Sequence, residues 1–154
     1  MEAQNTTNGS PGTILVPIRL SSNTRIMEIG TIKAAHIYVH EQIYVTAELE
    51  LNIKGVNYIF GGHRVFLSGM HGGESCDAPY LGRFLFRCMQ VCNVESWDLL
   101  KSSKVLADIR DGRVIAIGST SGHNWFNPSK EFQIMEDEKE QTGTSSRINT
   151  KTSG

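Results

Sequence analysis

Arg83 and Arg87 stand four residues apart in a stretch with helical spacing, so both project from one side of a helix. Two guanidiniums at that separation can hold phosphate oxygens through paired N–H forks. The same spacing also describes a solvated helix face, or local pairing with Glu74, Asp77 or Glu95. On spacing alone that plainer account carries more weight. Phe60-Gly61-Gly62-His63 offers bare backbone between an aromatic ring and an imidazole, where a flat base or a ribose could approach. A β-bulge with a surface histidine accounts for the same four residues. Asn124, Trp125 and Phe126 follow a polar loop, an order suited to stacking a base while the amide reads its edge. One of the two rings is expected in the core, because Trp and Phe seldom sit exposed together.

Residues for bond-breaking chemistry are fewer. Cys88 lies in an apolar stripe with no histidine beside it in sequence, a poor setting for a nucleophile. His63, His71 and Cys76 match no standard metal spacing and lack a fourth ligand. Glu48 and Glu50 share a strand face with no partner that would make them an acid–base pair. There is no phosphate-cradling P-loop and no dinucleotide fingerprint. The expectation is a protein that is not an enzyme and that uses no cofactor and no metal.

These residues must be positioned by elements whose periodicity changes along the chain. Thr13–Leu20 is a short apolar run, a candidate edge strand in which Pro17 limits pairing. Residues 32–40 are rich in β-branched and aromatic types. Residues 42–53 alternate, with Ile43, Val45, Ala47, Leu49 and Leu51 on one face and polar residues on the other. After a turn at Gly55, residues 58–67 read as another strand, interrupted at Gly61-Gly62. Leu81, Phe84, Leu85, Cys88, Met89 and Cys92 then recur at steps of three and four, which predicts one amphipathic helix begun by Pro79. A short helix is expected at 95–100. Residues 104–110 and 113–117 flank Asp111-Gly112, a strong hairpin signal. A last turn of helix is expected to end near Phe132. The predicted fold class is α+β: an antiparallel sheet with one main amphipathic helix packed on it.

The ends differ from this core. Residues 1–12 are polar, and residues 135–154 are first acidic and then rich in Ser and Thr, so both are expected to be disordered tails around a single ligand-binding domain at 13–134. The net charge is −1, and Glu131, Glu136, Asp137, Glu138 and Glu140 against Lys139, Arg147 and Lys151 place −2 of it after residue 130. The remainder is near neutral, which argues against DNA or RNA as the partner. No run approaches a membrane span, no leader pattern opens the chain, and three cysteines form no scaffold pattern. A reducing cytoplasm is the expected compartment.

Arg83-Phe-Leu-Phe-Arg-Cys-Met89, Val94-Glu-Ser-Trp97, Gly112-Arg-Val-Ile-Ala-Ile-Gly118 and Asn124-Trp-Phe-Asn-Pro128, with Phe60-Gly-Gly62 upstream, resemble in order and spacing the first Thoeris anti-defence family of phage proteins. The resemblance covers residues 29–132. It implies a sponge acting in the host cytoplasm, one that binds cyclic ADP-ribose isomers, with some members also taking cyclic oligonucleotides, and does not cleave them. It also implies a homo-oligomer whose pockets lie between protomers. Carried onto this chain, it places Arg87 and Phe126 in the pocket first, then Arg83, Phe60, Gly61, Gly62, His63, Asn124 and Trp125; should Arg87 prove dispensable for binding, Lys33 and Arg64 are the cations to examine next. Here Ser119, His123 and Asn124 stand where the family often has a histidine after the Ala-Ile-Gly turn and acidic residues before Trp-Phe, and His63 stands where an aromatic is common. The departures fall in loops expected to read the ligand. The alternatives are a structural or protein-interaction module of a phage, or an enzyme that cleaves the signal.

Overall fold

In the computed structural model, which describes residues 25–63, 65 and 80–153, three strands, a helix, a 3-10 turn, three further strands and a second helix follow one another, and one sheet curls around one aromatic cluster. The strands are β1 (Arg25–His40), β2 (Tyr44–Ile53), β3 (Val56–Gly61), β4 (Lys104–Arg110), β5 (Arg113–Gly118) and β6 (Trp125–Phe126). Helix α1 spans Tyr80–Cys92, a 3-10 turn covers Trp97–Leu100, and helix α2 spans Pro128–Ser153. All strand pairings are antiparallel, in the order β3-β2-β1-β4-β5-β6. The sheet curls until β3 returns to within 8 Å of β5, with which it makes no ladder. The α+β architecture is the expected one, and the candidate strand at 13–20 lies outside the described residues.

One turn and one bulge set the register. Asp111 and Gly112 both have positive φ, +50° and +73°, as a two-residue hairpin of the primed type requires. That turn pairs Arg110 with Arg113. The second device is a bulge in β1 between Ile32 and Ala34. Before it, Gly30 and Ile32 face the core; beyond it, Ala35 and Ile37 take that face opposite Leu49 and Ala47. The bulge shifts the alternation by one residue. β1 is therefore longer than the run of 32–40 suggested.

The concave face is filled from α1. Phe84, Phe60 and Phe126 are fully buried and meet with ring centroids 5.6–5.9 Å apart. Their large apolar surfaces and mixed stacked and edge-on contacts make this cluster the main stabilising feature. Tyr80, Cys88 and Val91 continue the buried side of α1, while Leu81, Leu85, Met89 and Cys92 are half-buried.

Two expectations need correction. The strand read over 58–67 ends at Gly61, where two consecutive positive-φ glycines turn the chain away. The last helical turn, expected to end near Phe132, is instead the start of a helix, α2, whose course runs to Ser153. Pro128 opens that helix, the Asn127 carboxamide accepts from the Lys130 amide at 3.2 Å, and Phe132 docks on Tyr80 with centroids 4.8 Å apart. Glu, Lys, Gln and Met are good helix formers, and no glycine interrupts them before Gly143. Side chains from Asp137 to Gly143 are exposed. Among the described residues, no helix is long and apolar enough to cross a membrane.

Candidate functional site

The residues singled out from sequence fall into two groups with opposite surroundings. Arg87 leaves α1 toward the core. Its Nε donates to Glu131 Oε1 at 2.8 Å, and one Nη donates to Asn124 Oδ1 at 3.0 Å and to Gln90. The other Nη donates to the Trp125 carbonyl oxygen. The guanidinium carbon lies 5.4 Å from the centre of the Phe126 ring, and only 12% of the side chain is exposed. Within one chain, then, Arg87 is an internal strut tying α1 to β6 and α2. Its partner is Glu131, 44 residues away, rather than the local acids considered from spacing. Phe126 is the ring that plugs the core, with no exposure. Trp125 is half-buried, covers Gly118 and donates from Nε1 to the Gly122 carbonyl at 3.0 Å. Arg83 is exposed on α1, Lys33 is exposed at the bulge, and Arg64 lies outside the described residues.

Phe60, Gly61, Gly62 and His63 lie elsewhere, along a cleft between β3 and β5. It encloses about 690 Å³, and its walls include Tyr38, Glu48, Tyr58, His63, Arg113 and Ser129. That volume is in the range of small-molecule sites. The curl creates it: β3 and β5 approach without pairing, and the space between them stays open. The glycine pair is filled by the protein's own groups. The Phe84 ring presses where a Gly61 Cβ would stand, and the Glu48 carboxylate lies 2.7 Å from a Gly62 Cβ position. Substitution at either would be strained by positive φ as well.

The cleft has a polar corner. Tyr38 donates to Glu48 Oε2 at 3.0 Å. Burial and then the Glu48 carboxylate push the Tyr38 hydroxyl above its usual value, with the His63 amide pulling the other way. The proton stays on Tyr38, so the corner presents a donor already engaged and a carboxylate able to accept from a ligand hydroxyl. His63 stacks on His40 with ring planes 2° apart and centroids separated by 4.3 Å. Across the cleft Arg113 is exposed and has no partner among the described residues. Aromatic faces, a carboxylate, an imidazole and an unspent guanidinium suit a polar, flat, anionic molecule.

Sequence reasoning missed Tyr38, Tyr58 and Arg113. Tyr38 and Glu48 are ten residues apart and meet only through the β1–β2 register, two pairs from its turn. Arg113 was visible only as part of a hairpin. The thiols of Cys88 and Cys92 lie on the packed side of the molecule. Burial drives Cys88 well above its usual range, and raises Cys92 to about 11. No family model, curated protein or solved structure matches this chain.

Proposed function

We propose that this protein captures a nucleotide-like signalling molecule, a cyclic ADP-ribose isomer or a cyclic oligonucleotide, and holds it unchanged, as a phage anti-defence sponge would. The observation that carries the proposal is the β3–β5 cleft, with ring faces at Tyr58 and His63, a carboxylate at Glu48 and a guanidinium at Arg113. Rings can stack on a base, Glu48 can accept from a ribose hydroxyl, and Arg113 can fork onto a phosphate. Such groups provide affinity without requiring a positioned nucleophile. In this reading Phe60 and Arg87 support the wall of the site and do not face the ligand. A second copy of the chain fits the proposal. Ile37, Val39, Ile43 and Val45 form an exposed apolar end on the β1–β2 hairpin, a surface on which a second protomer could be seated.

The test is to incubate the purified protein with candidate cyclic nucleotides, remove free ligand, heat-denature, and identify what is released by mass spectrometry. The expected result is one intact molecule per cleft. Steady accumulation of a linearised product would replace the sponge by an enzyme. The exposed hairpin end also supports a second reading, a protein-interaction module, which release of no small molecule would favour.

A further inference from the structure

At the end of the sheet where β1 begins, register places three arginines in one row. Arg25 of β1 pairs with Arg110 of β4, and Arg110 pairs with Arg113 of β5. Residues directly opposite in an antiparallel ladder share a face and lie about 4.5–5.5 Å apart. The row therefore crosses three neighbouring strands over about 10 Å. Cations held this close repel unless something offsets them. Asp108, two residues before Arg110 and on its face, does part of this. Its Oδ2 lies 2.9 Å from an Arg25 Nη, its Oδ1 lies 3.6 Å from Arg110 Nε, and the residue is 3% exposed. Asp108 is the one carboxylate paired with the row among the described residues, against three guanidiniums.

We propose that Arg25, Arg110 and Arg113 form a subsite for a diphosphate group, continuous with the cleft through Arg113. A guanidinium carries five N–H donors. Arg25 and Arg110 each direct one toward Asp108, their side chains are about half exposed (51% and 50%), and Arg113 has no partner among the described residues. Most donors of the row are thus unspent and open to water. Guanidinium forks match phosphate oxygens, and a row this long is better matched by two linked phosphates than by one. Arg113 lines the cleft as well, so a nucleoside resting against Tyr58 and His63 leads its phosphates out over Arg113 toward Arg110. The exposed acidic run from Asp137 to Glu140 and the net charge of −1 disfavour a polymeric anion. The inference rests on the capture reading for the nucleoside part of the ligand, and stands apart from it for the phosphates.

Isothermal titration of the full chain with inorganic pyrophosphate, at low ionic strength, tests the subsite. One-to-one binding is expected, at least tenfold tighter than orthophosphate. Arg113→Gln and Arg110→Gln should each weaken it by tenfold or more, while Lys101→Gln, an exposed site before β4, should leave it unchanged. Absence of pyrophosphate binding to the parent protein overturns the subsite, as does undiminished binding by both arginine variants. Binding of a single-stranded oligonucleotide in place of pyrophosphate overturns it too. Pyrophosphate binding with no capture of any cyclic nucleotide leaves the subsite standing and sinks the capture reading; capture without pyrophosphate binding does the reverse.

Discussion

Arg87 and Arg113 are the same residue type on two sides of one sheet, and the molecule uses them in opposite ways. Around Arg87, the guanidinium bonds to Glu131, Gln90, Asn124 and the Trp125 carbonyl, and it covers the Phe126 ring. Around Arg113, a cleft of about 690 Å³ opens and no described side chain claims the charge. An arginine whose donors are satisfied internally holds elements together, whereas one left unsatisfied at a concave surface is available for a partner. Helical spacing could not reveal the role of Arg87, because, Gln90 apart, the groups that satisfy it come from β6, its loop and α2.

The contrast can be broken most forcefully at its packed end. Phe84→Ala removes the ring that meets Phe60, Phe126 and Trp97, and should cost about 3–5 kcal/mol of stability in chemical denaturation. A cost under about 1 kcal/mol would mean the aromatic cluster is not the core. Next comes the direct comparison of the arginines. Arg87→Ala strands Glu131, whose Oε2 is buried and already unpartnered, and should cost about 2–3 kcal/mol. Arg113→Ala should change stability by less than about 0.5 kcal/mol, as exposed positions do. Equal losses at the two sites would erase the distinction.

The smallest effect concerns Cys92. With its thiol raised to about 11 by burial, against an ordinary 9.0, the folded state keeps a proton that the unfolded state gives up. Its contribution to stability is intact below pH 9 and falls as pH rises from 9 toward 11. Alkylation followed by peptide mapping should show Cys92 nearly inert in the native protein at pH 8, with Cys88 modified only after unfolding. Rapid labelling of native Cys92 at pH 8 would contradict its burial.

Much of the framework was legible because it is local. Alternation from Val45 to Leu51, the three-and-four stripe from Phe84 to Cys92 and the Asp111-Gly112 turn each declare themselves within a few residues. Burial of one ring of the Trp125-Phe126 pair followed from composition as well. Three things were not legible. The bulge at Lys33 shifts the face of β1 midway, so its pattern matches neither a clean strand nor a helix. The helical course of residues 135–153 has almost no apolar face to announce it beyond Phe132 and Met135. The cleft depends on how far the sheet curls, and that curl brings Tyr38, Tyr58 and Arg113 to one space from strands that are not sequence neighbours.

The curl also bears on how this chain behaves at high concentration. An open sheet ends in rows of unpaired amides and carbonyls, which invite other chains to add strands and grow fibrils. Here one terminal strand, β6, is only two residues long, and the other, β3, is six residues long, faces β5 across the cleft, and stops at two turning glycines. Along Ala34–His40 the side of β1 away from β2 has no ladder partner among the described residues, whereas the terminal edge at β3 is short and folded inward, although β3 carries exposed Val56 and Ile59 that would favour stacking if it were open. A molecule lodged in the cleft would cap that edge further, so occupancy should retard fibril formation on agitation as well as raise the melting temperature.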